Sequence, residues 1–406
     1  MSGSNFVTSI ILVRGLGLVD FGKFTIAYVL LSLANSFQLS FISSPMLSLG
    51  ALFAQDSERG DFLRGMYGVQ VLFCAAAAIL AVISAAGFLY LRPSFGSASL
   101  IPAFAASVVL FLLQDWLRRY YFTVGKAPAS FWNDVVSYMG QVVVLFVLRQ
   151  THTLTVTTAL WSIALTSGIA FAAGAMSERL SFSRKQLRDA WMRARASSRD
   201  LAIASQLQWF VYQGAMLIGA GLLGAQAAGG VRATQSVVGP VNVAFQAMEN
   251  LVPLRAGEEM RRGGIDGAAK FLFRFGRNGF VALLLAFLVL SLFSRTFLGF
   301  FYGHQVGVYS VILDLQMLYF LLAWPIRQFT FLFRTLGRTT AILGGSAAAA
   351  AASLVLIYPM VRGFNTNGIM LAAVAGQLAN LIYIAYAWKR TRVQMRTAES
   401  SLPTVS

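Results

Sequence analysis

The feature that most constrains this chain is a succession of long apolar stretches, each near the length of a membrane crossing, separated by short connectors that hold most of the charge. A crossing helix needs about 20 mostly apolar residues. Twelve such stretches are read, centred on 4–13, 24–45, 66–90, 100–116, 131–148, 157–176, 201–223, 231–254, 272–294, 308–326, 339–361 and 367–388. Of 406 residues, 57% are hydrophobic and 12% charged, about half the charge density of a soluble domain. A water-soluble globule is excluded, and the expected fold class is all-α: a polytopic membrane protein of about twelve helices.

The 32 Lys and Arg exceed the 15 Asp and Glu. Nucleic-acid binders carry such a surplus on a solvated face, whereas here it lies between apolar runs, so no nucleic-acid partner is expected. Alternate connectors differ sharply in charge. One set holds Arg59 and Arg64; Arg118, Arg119 and Lys126; seven cations from Arg179 to Arg199; six from Arg255 to Arg277; Arg327, Arg334 and Arg338; and four from Lys389 to Arg396. The other holds only Arg14, Lys23, Arg92, Arg149, Arg232, Arg295 and Arg362. By the positive-inside rule the first set is cytoplasmic, and an even number of crossings puts both termini inside.

Chemistry is sparse. Cys74 is the single cysteine, and His152 and His304 lie far apart, so neither a disulfide framework nor a Cys/His metal site can be built. Outer connectors are short and nearly without Asp or Glu, and no Walker or dinucleotide fingerprint occurs. No catalytic residue, metal or cofactor is expected, and the chain reads as a non-enzyme.

The chain resembles itself once. Leu16-Gly17 followed by Gly22 recurs as Leu223-Gly224 followed by Gly229, Asn35 as Asn242, Pro45 as Pro253, and Gly125-Lys126 as Gly337-Arg338, at offsets of 207 to 212. Two halves of six crossings each run in the same sense, which implies lobes related by a pseudo-two-fold along the membrane normal. The expected organisation is an N-terminal lobe at 1–176, a basic cytoplasmic linker at 177–200 forming an amphipathic surface helix, a C-terminal lobe at 201–388 and a cytoplasmic tail at 389–406. The first stretch holds only about ten apolar or small residues before Arg14, short for roughly 30 Å of hydrocarbon. No basic leader or cleavage site marks a signal peptide, and a shortened amino terminus is expected.

Polar groups at membrane depth are expensive and tend to face a cavity or another helix. Arg232, Gln235, Asn242, Gln246 and Glu249 share one face of the eighth stretch by spacing. Ser32, Asn35 and Gln38 form a fainter stripe on the second, and Gln206, Gln208 and Gln213 lie on the seventh. Such amides either line a cavity or join helices by hydrogen bonds. Arg14 and Arg232 suit an anionic headgroup, because a planar guanidinium matches phosphate oxygens, or else they snorkel to the interface. Glu249 and Asp314 are candidates for proton or cation coupling, while Asp115 and Asp134 are expected to be interfacial caps.

Arg14-Gly15-Leu16-Gly17 with Phe21-Gly22-Lys23-Phe24 resembles the opening motif R-x-L-G-x(4)-[YF]-G-x-[FY] of polysaccharide biosynthesis proteins. These are the oligosaccharide-lipid (Wzx-type, O-antigen or exopolysaccharide) flippases of the multidrug, oligosaccharidyl-lipid and polysaccharide exporter (MOP) superfamily. Leu223-Gly224 through Gly229, Arg232-Ala233, Gly239-Pro240 and Leu251-Val252-Pro253 look like the corresponding second-half segment. The resemblance covers the whole chain in topology and departs at the start, where half of the first helix is missing. It implies two six-helix lobes around a cavity in a bacterial inner membrane. Their substrate would be an undecaprenyl-diphosphate-linked oligosaccharide carried from inner to outer leaflet by alternating access, beside membrane lipids, a polysaccharide polymerase and export machinery. A sugar-diphosphate cannot cross hydrocarbon unaided, and a potential negative inside favours outward anion movement by about 2.3 kcal/mol per charge per 100 mV. Two other readings remain: a cation-coupled small-molecule or multidrug antiporter of the same superfamily, and a non-transporting degenerate paralogue.

Overall fold

The computed structural model describes residues 2–50, 53, 55–195 and 199–400; the side chains of 2, 199–202, 246, 247, 249–251, 254 and 395–400 are outside this description. Among the described residues there is no strand. The helices in chain order are α1 (Ser2–Gln38), α2 (Ser44–Gly50), α3 (Asp56–Leu91), α4 (Leu100–Thr123), α5 (Ala127–Asp134), α6 (Gly140–Gln150), α7 (Val156–Glu178), α8 (Arg184–Ala194), α9 (Arg199–Trp209), α10 (Ala215–Leu223), α11 (Ala225–Val237), α12 (Gly239–Leu292), α13 (Ser294–Tyr302), α14 (His304–Gly307), α15 (Ser310–Thr335), α16 (Thr339–Phe364) and α17 (Thr366–Ser400). Single π-turns at Leu39–Ser43, Val135–Met139 and Phe210–Gly214 join α1 to α2, α5 to α6 and α9 to α10.

Nine described helical stretches are long and apolar enough to cross a membrane, fewer than the twelve expected. The first two expected stretches run together as Gly3–Gly50, divided only at Gly17. The stretches at 201–223 and 231–254 are not among the nine. One carries three glutamines, and the other is interrupted where Val238 leaves helical geometry (φ −86°, ψ 2°) between α11 and α12.

The chain forms two compact units. The first contains Met1–Ala202, Leu223–Val237 and Gly299–Val306; the second contains Ile203–Leu222, Val238–Leu298 and Gly307–Ser406. The segments 223–237 and 299–306, expected in the C-terminal lobe, therefore pack within the first unit.

In the first unit α1 crosses α11 closely. Gly17 interrupts α1 at φ 77°, ψ 170°, a region essentially open to glycine alone, and Gly224 (φ 92°) precedes α11 in the same left-handed half of backbone space. Beyond these breaks, Gly22 packs against the backbone of Ala225 and Gly229 against the carbonyl of Leu18. The small residues let two backbones approach where lipid offers no hydrophobic drive to association. The core continues through Met46, Phe62, Met66, Trp116 and Leu117, all buried, while Ile79, Leu80 and Ile83 on α3 are exposed as a lipid-facing surface requires.

The second matched pair of the repeat also has a structural cause. The Lys126 amide donates to Tyr121 O at 2.8 Å and the Arg338 amide to Phe333 O at 2.9 Å, with Gly125 (φ 75°) and Gly337 (φ 67°) left-handed. Both α4 and α15 thus end in a Schellman motif. The basic segment after α7 is a helix, α8, opened by a capping box between Ser183 and Gln186. Its Ala190 and Ala194 are buried, and Gly65 of α3 leaves room for the Gln186 carbonyl.

In the second unit α16 and α17 pack along their length, with α15 against α17 and α12. Gly345 lies beneath Asn380, and Trp324 of α15 donates to Gly276 O of α12 at 2.7 Å.

Candidate functional site

The first unit encloses a small polar recess lined by Asn5, Thr8 and Ser9 of α1, Tyr28, Tyr138, Gln141 and Arg232, backed by Leu12, Phe21 and Phe24. Its volume is about 20 Å³, room for roughly one water. That is too small for a whole glycan. Arg232 reaches it because α11 is held against α1 by the glycine crossing. Its guanidinium stacks over the Tyr28 ring at 4.6 Å, and Nη1 donates to Gln235 Oε1 at 3.4 Å. Gln235 is buried, so it orients the arginine from behind. Ser9 Oγ and Tyr302 OH lie 2.9 Å apart. Burial pushes the Tyr302 hydroxyl, on α13 outside the spanning stretches, up to about 12, so it stays a neutral donor. One guanidinium among hydroxyls and amides suits an oxyanion or a sugar hydroxyl.

The structure separates the other expected site residues. Arg14 is exposed and does not line the recess: Nε donates to Phe301 O at 2.8 Å, and Nη2 donates to Phe300 O. It caps the C-terminal end of α13, where a cation answers the orphan carbonyls. Asn35 is half-buried. Gln38, expected to line a cavity, is fully buried: its Oε1 accepts from Gln70 Nε2 at 3.1 Å, and its Nε2 donates to Asp115 Oδ2 at 3.4 Å. The single polar face expected over Arg232, Gln235, Asn242, Gln246 and Glu249 is interrupted between α11 and α12. The break at Val238 leaves Arg232 and Gln235 in the first unit and Asn242, exposed, in the second. The side chains of Gln246 and Glu249 lie outside the described residues. In the second unit Gln213 sits half-buried in the π-turn with Oε1 unpartnered, and Asp314 accepts from Ser291 Oγ at 2.9 Å.

Two groups escaped the sequence reading. Asp115 is not an interfacial cap but an enclosed carboxylate, 2% exposed, bound by Arg118 at 2.6 Å and Arg119 at 2.9 Å. Arg118 also faces Asp134 at 3.8 Å, and Gln114 donates to Asn133 Oδ1 at 2.7 Å. Two acids and two arginines balance, so this cluster ties α1, α3, α4 and α5 together without net charge. The i+3 and i+4 spacing of the arginines was the available signal. Arg327, assigned above to a connector, lies inside α15, eight residues or about 12 Å before its end, with its guanidinium over Phe245 at 4.2 Å. Among the described residues no cluster of three His, Cys, Asp or Glu could hold a metal.

No protein-family profile and no curated protein sequence matches the chain. Solved structures do. The lipid II flippase MurJ in an inward closed conformation aligns over 96% of this chain and 85% of its own, at 13% identity and a TM-score of 0.72. An inward-facing multidrug resistance MATE family transporter of the MOP superfamily aligns over 99% and 96%, at 14% identity and 0.76.

The fold is that of MurJ and the MATE transporters.

A MATE in complex with MaL6 agrees, at 14% identity over 97% and 95% of the two chains and a TM-score of 0.62. The all-α polytopic class expected from the apolar stretches is therefore the observed one, and these neighbours are transporters and flippases instead of enzymes.

Proposed function

We propose that the protein is a MOP-type transporter that carries a lipid-linked oligosaccharide, diphosphate first, from the inner to the outer leaflet of a bacterial inner membrane by alternating access. The observation that carries this reading is Arg232: a guanidinium at the wall of a hydroxyl-rich recess, steered by Gln235 and Tyr28. An arginine kept among helices is costly unless it meets an anion or lines a polar path. The likeness to a flippase of a lipid-linked precursor supports the same substrate class. In this reading both termini are cytoplasmic, and a glycan polymerase and export machinery take the product.

A cation-coupled exchanger is the second reading, favoured by Asp314, a half-buried carboxylate that accepts from the Ser291 hydroxyl, and by the likeness to MATE transporters. Asp115 does not serve it, being saturated by two arginines. Proteoliposomes containing the full chain separate the two. Translocation of a fluorescent undecaprenyl-diphosphate glycan that is lost in Arg232→Ala supports the flippase. Cation-dependent efflux of a small organic cation, lost in Asp314→Asn and indifferent to Arg232, overturns it.

A further inference from the structure

A second, wider cavity of the first unit is unrelated to the Arg232 recess. It measures about 490 Å³ and lies where the start of α3 meets the ends of α4 and α7, within the usual range for small-molecule sites. Arg59, Arg64 and Arg179 line it, with Asp56 and Glu178 as the acids. The carboxylate of Glu178 is already answered, since Lys126 Nζ reaches both its oxygens at 2.7 and 2.8 Å. Arg59 donates through Nη2 to Thr123 O, while its Nε is buried with no hydrogen-bond partner. A buried donor left unmade is costly, and an incoming oxyanion would satisfy it. Arg64 and Arg179 are exposed, and the left-handed turn at Arg179 (φ 48°) ends α7 at the cavity. Counting Lys126, four cations meet two acids here. Phe122 of α4 and Met176 of α7, each two residues before a lining residue, are 56% and 74% exposed, apolar groups on which acyl chains can lie.

We propose that this cavity binds the phosphate-bearing headgroup of an anionic phospholipid, held by Arg59, Arg64 and Arg179 on the face of the protein where the cationic connectors gather. The phosphate is gripped by the three guanidiniums, whose planar donors match its oxygens. Asp56 on the rim opposes the ligand. The site is independent of the transport reading above, because none of its residues touches the Arg232 recess.

The test is native mass spectrometry of the full-length protein released from nanodiscs, with phosphatidylglycerol and phosphatidylcholine as lipid probes and glycerol 3-phosphate as a soluble one. Wild type should retain phosphatidylglycerol over phosphatidylcholine. Arg64→Gln with Arg179→Gln should lower that retention by about tenfold or more, the loss of two charge-assisted contacts, and Asp56→Asn should raise it. Arg232→Ala should leave it unchanged even if transport fails. Glycerol 3-phosphate binding that depends on the same arginines, without lipid preference, upholds the phosphate site but makes its ligand a soluble organic phosphate. Equal retention of every probe by wild type and the double variant overturns the proposal.

Discussion

Gly229 lies against Gly22 where α11 crosses α1. A Cβ on Gly229 would stand 2.5 Å from Leu18 O and 3.3 Å from Gly22 Cα, and one on Gly22 would stand 1.8 Å from Ala225 O. The offset of 207 that relates Gly22 to Gly229 also relates Leu18 to Ala225. Each glycine therefore touches the counterpart of the residue that the other touches, and the crossing is locally two-fold. The matched Leu-Gly…Gly segments are the two sides of one contact.

That contact tolerates no side chain. Gly22→Ala and Gly229→Ala push Cβ atoms into backbone, which cannot rotate away, and each should destabilise by about 1–3 kcal/mol or more. Gly221→Ala, with no heavy atom within 4 Å of its added Cβ, is the matched control. Thermal unfolding of detergent-purified protein reads the difference; equal midpoints for all three would mean the helices do not meet here.

The Asp115 cluster predicts an asymmetry. Asp115→Asn leaves Arg118 and Arg119 largely enclosed without their countercharge and should cost about 3–5 kcal/mol. Replacing Arg119 by Gln in the same chain should recover part of that loss, because net charge in the cluster returns to zero. A double variant no better than the single one in thermal unfolding would show that the pairs act separately.

Glycine and hydropathy made much of this architecture legible from sequence. Gly17, Gly224, Gly125 and Gly337 mark positive-φ turns, and such turns leave a residue identity behind them, so the repeat was visible. The break at Val238 leaves none: valine is an ordinary helix residue, and periodicity ran through it to draw one polar face where there are two. Arg118, Arg119 and Arg327 were assigned to connectors because a hydropathy window treats any cation as an end. What keeps Arg118 and Arg119 inside a helix is local, an aspartate one turn away in α4, whereas Arg327 is held by a tertiary contact, the ring of Phe245. Gln38 looked like a cavity residue for the same reason, since its partners Gln70 and Asp115 lie on other helices.

Arg232 should be irreplaceable in kind as well as charge. Arg232→Ala is expected to lower binding of an undecaprenyl-diphosphate lipid about tenfold or more, and Arg232→Lys to restore only part, because an ammonium is a point charge without a fork of donors. Native mass spectrometry reads binding, and fluorescence size-exclusion confirms that insertion is intact. Full recovery by lysine would reduce the role of Arg232 to charge alone.

Thiol accessibility distinguishes buried amides from those facing water. Cys74 is buried and the single cysteine, so a Cys74→Ser background leaves the surface unchanged and gives a silent baseline. Gln38→Cys sits in the closed ladder with Gln70 and Asp115 and should resist a membrane-impermeant maleimide. Asn242→Cys is exposed and should react if its surroundings are aqueous, whereas a lipid-facing Asn242 stays unlabelled. Gln235→Cys tests the recess itself: behind Arg232 it is 5% exposed, so labelling requires the recess to open. Labelling at 235 that rises with added glycolipid would mean that substrate widens it. Rapid labelling at 38 in folded protein would remove the buried ladder from the account of the first unit.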